Sequence, residues 1–241
     1  MKNKIKKVVV SIMSLLSVGF ASFNFMSYQP STNLIPKRAY STITGKWATL
    51  KVKIFAYYNG ENSSGFGLGH AFITVENLAY NEQTFGHATL NVTQGATVGT
   101  WGNKSEHKGL WYNLEKHFLI QNKGVYNGIV SLTTYLDENE ANVLHAYVKD
   151  YDSWSTFNNC SSFAAGAWNL ISNEKVTAGL INTPENLANS IKCYSDYKTN
   201  DDLPSYCGKV FYMDNGVKTY SQTYAMLTSL YDDPYSYRKE L

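Results

Sequence analysis

The sequence predicts an α+β fold in which an antiparallel sheet packs against a helix that bears a cysteine. Two observations support this fold class. Stretches typical of buried or half-buried strands occupy much of the chain between residues 47 and 135, and apolar residues at helical spacing dominate from residue 137 onward. An order of strands first and helices afterwards favours α+β.

Residues 1–26 are predicted to be a secretory signal peptide. Four lysines precede an apolar run, and Gly19 and Ala21 are small enough for the positions before a cleavage site. The run is too short and too rich in serine for a spanning helix, which needs about 20 apolar residues. We therefore expect a secreted or cell-surface protein that meets a membrane only through the signal before cleavage. A retained membrane anchor is the alternative.

The rest of the chain is predicted to contain a polar linker at residues 27–45, one domain at 46–215 and a C-terminal tail at 216–241. Removing the four signal lysines from 21 basic residues leaves 17 against 19 acidic residues, a net charge of −2. The basic character therefore belongs to the signal, and no surface for nucleic acid is indicated. The oligomeric state stays open.

The predicted strands lie, in chain order, at residues 47–58, 70–76, 84–92, 96–101, 127–135 and 209–213. The first of them alternates apolar and polar side chains, which is typical of a strand with one buried face. A glycine-rich segment precedes the second strand. Residues 102–124 are predicted to be loop because glycines interrupt them.

Three helices are predicted from capping residues. Their starts are Asp137 with Glu140 in a capping box, Asn158 or Asn159 before Cys160, and Thr183 before Pro184. Apolar residues at helical spacing follow the first two of these starts.

Three cysteines leave at least one thiol without a partner inside the chain. Cys193 and Cys207 are 14 residues apart and would close a loop in an oxidising compartment. Cys160 would then be the remaining cysteine, which in an exported protein can be a reactive thiol. Three free buried cysteines are the alternative, because sequence does not fix the pairing.

Cys160 is the candidate nucleophile, because the start of a helix offers unpaired backbone N–H groups and partial positive charge. Both stabilise a thiolate, and the same N–H groups can hold an oxyanion. His70 is the candidate base, since it begins a strand directly after a glycine-rich segment. His87 and Asn103 are the candidates for a third group that orients the imidazole. A buried inert thiol and an ordinary strand-end histidine are the alternatives.

No cofactor or metal ion is predicted. The sequence contains no HExxH or CxxC motif and no close cluster of histidine and aspartate. The glycines before His70 precede a strand rather than a helix, so they do not form a phosphate-binding loop.

The motif GHAFI at residues 69–73, followed by NCSSFA at residues 159–164, resembles circularly permuted papain-like cysteine hydrolases of the NlpC-like group. That group also includes proteins similar to lecithin–retinol acyltransferase. In permuted members the histidine strand precedes the cysteine helix, as it does here across 90 residues. The resemblance spans roughly residues 47–213. It implies a papain-like fold with Cys160 as nucleophile, His70 as base, and His87 or Asn103 as the third residue.

The expected function is that of an exported cysteine hydrolase that cleaves an amide or peptide bond, with cell-wall peptide as its most natural substrate. One alternative is a non-catalytic binding module that presents Tyr57, Tyr58 and Trp101 to a glycan or a protein. An acyltransferase or lipid esterase on the same fold is another. A secreted toxin that cleaves host protein would share the chemistry and differ only in its substrate.

Overall fold

Ten strands and four helices make up the part of the chain that the structure, a computed structural model, describes: residues 38–58, 69–204 and 208–225. The strands are β1 (Leu50–Tyr57), β2 (His70–Asn77), β3 (Gln83–Phe85), β4 (Ala88–Leu90), β5 (Gly95–Trp101), β6 (Gly109–Tyr112), β7 (Val130–Leu136), β8 (Lys198–Thr199), β9 (Phe211–Asp214) and β10 (Val217–Tyr220). The helices are α1 (Leu114–Gln121), α2 (Glu138–Asp150), α3 (Cys160–Ile171) and α4 (Pro184–Ile191). The predicted signal peptide lies outside the described residues.

Eight of these strands form one sheet in the order β10-β9-β6-β5-β2-β1-β7-β8, and β3 and β4 form a separate hairpin. Neighbouring strands of the large sheet run antiparallel throughout. The predicted α+β class with a large antiparallel sheet is therefore confirmed. Among the described residues, no helix has the length and apolar character that crossing a membrane requires.

The two faces of the central strands bury different side chains. Ile54 of β1 and Ile73 of β2 lie in the main core, together with Phe163 and Trp168 of α3. The opposite face carries Phe55, which belongs to a second apolar cluster. Helix α1 packs against β5 on this second side. The sheet thus separates the body of the cysteine helix from α1.

The capping residues act as predicted. The carboxylate of Asp137 accepts hydrogen bonds from the backbone of Asn139 and Glu140, and the Glu140 side chain closes the capping box. Asn159 caps α3, and Thr183 caps α4 with proline following it. Local polar residues therefore define where these three helices begin.

The strand predicted at residues 84–92 is wrong. The structure places a hairpin there, in which β3 and β4 are joined at Gly86 and His87. Gly86 has a φ of 55°, a left-handed conformation that suits a two-residue hairpin turn. The chain therefore reverses direction at Gly86 and His87, where a single continuous strand was predicted.

The loop predicted at residues 102–124 is also wrong, because β6 and α1 lie within it. All four residues of β6 are buried, so this strand lacks the alternation that marks a half-buried one. Helix α1 follows Asn113, which has a φ of 66° and makes no side-chain capping bond. At the other end of the domain, β10 lies beyond residue 215, inside the predicted tail.

Candidate active site

Cys160 is the first residue of α3, and the residue before it prepares the helix end. The Asn159 Oδ1 atom accepts hydrogen bonds from the backbone N–H groups of Ser161, at 3.0 Å, and Ser162, at 3.3 Å. The Asn159 Nδ2 atom donates to the carbonyl oxygen of Asn182 at 2.6 Å. No hydrogen bond joins the backbone N–H of Cys160 to an acceptor within the described part of the chain. This N–H group is therefore free to bind an oxyanion.

The thiol of Cys160 meets the sheet where two strands separate. The ladder between β2 and β5 runs from Glu76 to Ile73 and does not extend to Ala71. The backbone N–H of Ala71 is instead among the groups that lower the pKa of the Cys160 thiol, and the Cys160 sulfur contacts the hydroxyl of Ser161 at 4.0 Å. The end of the β2–β5 ladder thus lies beside the thiol.

His70 begins β2 beside this opening, and its side chain is only 2% exposed. The imidazole stacks on Phe72, with 5.6 Å between ring centroids, and lies 3.8 Å from the Trp101 ring centroid. Its Nε2 atom is 3.0 Å from Oε1 of Glu115. The thiol of Cys160 is a close enough neighbour to raise the pKa of the imidazole, and Nδ1 is the ring nitrogen that Glu115 leaves available to it.

Glu115, in the first turn of α1, is completely buried and accepts hydrogen bonds at both carboxylate oxygens. Trp101 donates its indole N–H to Oε1 at 3.0 Å, and Thr97 donates its hydroxyl to Oε2 at 2.8 Å. The indole nitrogen of tryptophan can only donate, so Oε1 acts as an acceptor. His70 therefore carries its proton on Nε2 and points it at Glu115.

The pKa values of the thiol and the imidazole move in opposite directions. Burial is the largest single influence on both, and by itself it lowers the pKa of His70 and raises the pKa of Cys160. The hydrogen bond and charge of the partner group outweigh burial in each case. With Glu115 contributing to His70, the pKa of His70 rises to about 9 and the pKa of Cys160 falls below its usual value. A thiolate paired with an imidazolium is the form these shifts favour.

Two glycines make room for this arrangement. A Cβ atom at Gly99 would lie 2.2 Å from the Glu115 Oε1 atom and 3.1 Å from the His70 Nε2 atom. Gly69, directly before His70, has a φ of 116°, and a Cβ there would lie 2.2 Å from the carbonyl oxygen of Tyr57. Any larger residue at either position would displace the groups that hold the imidazole.

Cys160 and His70, predicted as a pair, are brought together by the structure, whereas the two predicted third residues lie elsewhere. His87 sits in the turn between β3 and β4, and its Nε2 atom contacts the carbonyl oxygen of Lys149 at 3.1 Å. Asn103 is exposed in the segment after β5. The group beside His70 is instead Glu115, which falls within the stretch predicted to be loop.

The remaining predicted site concerns a disulfide. Cys193 is exposed, and its thiol contacts the carbonyl oxygen of Asn189 at 3.4 Å. Cys207 lies outside the described residues, so the pairing of Cys193 with Cys207 stays a prediction. Within the described ranges, no group of three or more His, Cys, Asp or Glu side chains is arranged to hold a metal ion.

Exposed apolar side chains flank the start of α3. Phe157 is 78% exposed, and Leu180 and Ile181 protrude from a turn on the neighbouring segment. The Asn182 Nδ2 atom donates to the carbonyl oxygen of Phe157 at 2.7 Å and ties the two segments together. The rim near the thiol is therefore apolar on this side.

Comparisons with protein-family models, with curated proteins and with solved structures found no match to this chain.

Proposed function

We propose that this protein is a cysteine hydrolase of papain-like fold that cleaves an amide or peptide bond. The observation that carries the proposal is the juxtaposition of Cys160 with His70, whose imidazole is hydrogen-bonded to the buried carboxylate of Glu115. Cys160 is the nucleophile, His70 carries the proton, and Glu115 orients the imidazole. Nucleophile, base and orienting group in this order make up the arrangement that covalent catalysis requires.

The reaction would proceed in two halves. The Cys160 thiolate attacks the carbonyl carbon, a C–S bond forms, and the electron pair of the C=O bond moves to oxygen. The backbone N–H of Cys160 and the dipole of α3 stabilise that oxyanion. When the C–N bond breaks, the His70 imidazolium gives its proton to the leaving amine. Neutral His70 then takes a proton from water, which hydrolyses the thioester and releases the acid.

The order of elements in the chain supports the papain-like assignment. A histidine strand that precedes a cysteine helix, with the helix packed on the sheet at that strand, agrees with the resemblance to permuted NlpC-like hydrolases. The predicted export signal makes cell-wall peptide the most natural substrate. We therefore place the activity outside the cytoplasm, on a secreted or cell-surface protein.

The apolar rim favours a second candidate, an acyltransferase or lipid esterase on the same fold. Phe157, Leu180 and Ile181 are large apolar side chains that remain exposed near the nucleophile. Contiguous exposed apolar residues often mark sites that bind partners or lipids. In this case the acyl group would pass to Cys160 from an ester, and an acyl-enzyme would accumulate with a lipid ester but not with a peptide.

The first test is the pH dependence of iodoacetamide alkylation at Cys160, read by peptide mass spectrometry on the protein without its signal. The same chain unfolded in urea is the control, because an unperturbed thiol titrates near pH 8.5. We expect folded Cys160 to react at least about tenfold faster than the unfolded control at pH 6, since its thiolate is stabilised. The His70→Ala variant should lose this advantage.

Equal rates for folded and unfolded Cys160 at pH 6 would refute the catalytic pair and leave the binding module as the better reading. If the pair is confirmed, cell-wall peptides and acyl esters are compared as substrates for the native protein and for Cys160→Ala. Turnover that survives Cys160→Ala would contradict the mechanism.

A further inference from the structure

Thr97 and Trp101 hold the carboxylate of Glu115 from two sides. The Thr97 hydroxyl donates to Oε2 at 2.8 Å, and the Trp101 indole N–H donates to the same Oε1 atom that faces His70. We propose that Thr97 and Trp101 are positioning residues that hold the carboxylate of Glu115 against His70 and thereby support the positive charge of the imidazole. This inference rests on the proposed function, because it concerns the same Cys160 thiolate.

The physical basis is the stabilisation of a buried carboxylate by hydrogen-bond donors. A carboxyl group taken out of water favours its neutral form unless hydrogen-bond donors stabilise the charge. Thr97 and Trp101 each donate a hydrogen bond to the Glu115 carboxylate, so they stabilise its charge and fix its position beside His70. Without these donors the carboxylate would be held less firmly against the imidazole. The thiolate of Cys160 in turn depends on the charge of His70.

Backbone hydrogen bonds fix the position of Thr97 relative to Glu115. Its backbone is tied to Asn113, the residue before α1, by the Asn113 N–H to the Thr97 carbonyl oxygen at 2.8 Å and by the Thr97 N–H to the Asn113 side chain at 3.3 Å. These bonds fix the spacing between β5 and the first turn of α1, where Glu115 lies. Thr97 is completely buried, so water does not compete for its hydroxyl.

Trp101 acts with its ring as well as with its N–H group. The ring centroid lies 3.8 Å from that of His70, so the indole covers the imidazole that it helps to orient. Its side chain is part of the wall around the bond between His70 and Glu115. Trp101→Phe therefore removes the donor and keeps an aromatic ring against the imidazole.

The experiment compares the pH midpoint of Cys160 alkylation in four variants with that of the native protein. Thr97→Val and Trp101→Phe remove the two donors and keep most of the side-chain volume. Thr97→Ser retains the hydroxyl. Trp168→Phe is the matched control, because Trp168 is also buried and its N–H donates to the carbonyl oxygen of Glu174, away from Glu115.

We expect Thr97→Val and Trp101→Phe to raise the midpoint by at least about one pH unit, the effect of losing a charge-stabilising hydrogen bond. Thr97→Ser and Trp168→Phe should leave it unchanged. A purely structural role would lower the melting temperature of the first two variants without moving the midpoint. Native midpoints in folded Thr97→Val and Trp101→Phe would overturn the inference.

The outcomes separate this inference from the proposed function. A native protein whose Cys160 titrates like an ordinary thiol contradicts the proposed function itself. A native protein with a low midpoint that neither donor variant shifts contradicts only the roles of Thr97 and Trp101. If Trp101→Phe does not fold, the comparison of Thr97→Val with Thr97→Ser decides the question.

Discussion

At the scale of single residues, the position of Glu115 sets the charge of the site. A carboxylate removed from water is costly unless its oxygens are satisfied, and Glu115 meets donors from His70, Thr97 and Trp101. Its negative charge is one of the influences that raise the pKa of His70 to about 9. The imidazolium that this stabilises is in turn the counter-ion of the Cys160 thiolate.

Glu115→Gln should lower the pKa of His70 by about one to three units, because the amide keeps the shape but removes the charge. The pH window in which thiolate and imidazolium coexist then narrows from its upper end. The measurement is an NMR titration of the His70 ring protons, with Glu82→Gln at an exposed position as control. The free energy of unfolding should fall, since removing one partner of a buried ion pair leaves the other charge without compensation. An unchanged His70 titration would contradict the role of Glu115.

Gly99→Ala should disable the site through one added methyl group. The new Cβ would lie 2.2 Å from the carboxylate of Glu115, so the side chain must move away from His70. We expect a loss of about 1–3 kcal/mol in the free energy of unfolding, typical of overpacking, together with a fall in Cys160 alkylation at pH 6. Gly124→Ala is the control, because the nearest atom to its added Cβ lies 3.4 Å away. Native reactivity in folded Gly99→Ala would count against this account.

Cys160 and His70 were predictable as residues because their types and local settings suggest chemistry. A cysteine after an asparagine cap indicates the first turn of a helix, and a histidine after a glycine-rich segment indicates the start of a strand. Glu115 carries no such signal. A glutamate in a helix's first turn is usually read as favourable to the helix dipole, and only the fold shows that this one is buried against His70.

At the scale of elements, α3 acts through its first turn. Asn159 satisfies the N–H groups of Ser161 and Ser162 and leaves that of Cys160 without a described acceptor. The cap therefore stabilises the helix without occupying the donor beside the proposed nucleophile, Cys160.

Asn159→Ala should lower the free energy of unfolding by about 1 kcal/mol and no more than about 2 kcal/mol, as removal of a capping side chain does. It should also change the alkylation rate of Cys160, because the first turn of α3 loses its fixed geometry. Thr183→Ala is the matched control, since Thr183 caps α4 through the N–H of Asn186. This variant should lose similar stability, measured by urea unfolding, and keep native Cys160 reactivity. Equal alkylation in both variants would contradict a special role for the Asn159 cap.

The elements that sequence missed share a physical reason. Strand β6 is buried on both faces, so its residues do not alternate, and α1 has eight residues with no side-chain cap. The first four residues of α1 are all buried, which does not match the one-sided stripe of an amphipathic helix. Tertiary packing rather than local pattern decides these segments. The capped helices α2, α3 and α4 were predictable because their signals are local.

At the scale of the whole molecule, stability should depend on pH through His117. This side chain of α1 is buried, and neither ring nitrogen has a hydrogen-bond partner among the described residues. Burial, followed by the nearby charge of Lys104, lowers the pKa of His117 to about 4. The unfolded chain would take up the proton near pH 6.5. The unfolded state thus binds more protons between these two values, so acid lowers stability across that window.

His117→Leu should make the free energy of unfolding depend less on pH between pH 4 and pH 6.5. We expect the native protein to lose on the order of 2 kcal/mol more than the variant between pH 6.5 and pH 4, a value discounted for solvent screening. Urea unfolding at several pH values measures the slope of the free energy of unfolding against pH for each protein. Titratable groups that the two proteins share cancel when one slope is subtracted from the other. Parallel slopes would show that His117 keeps its ordinary titration in the folded state.

The fold class and the three capped helices followed from the sequence, whereas the assembled site did not. His70, Glu115 and Cys160 lie 45 residues apart in succession along the chain. Local pattern describes each neighbourhood separately. The pairing of strands, which brings the three together, depends on contacts across the whole domain.

The spacing of these three residues along the chain also determines the stage of folding at which the Cys160 thiol becomes reactive. Because β2, α1 and α3 must all be in place before the sulfur meets its counter-ion, an incomplete chain carries a sulfhydryl no more reactive than that of free cysteine. The nucleophile proposed for this protein would therefore stay unreactive until its fold is complete. Because the thiol becomes reactive only when folding is complete, a mild alkylating label would modify Cys160 only in folded molecules. The fraction of labelled chains would therefore measure the fraction that has folded.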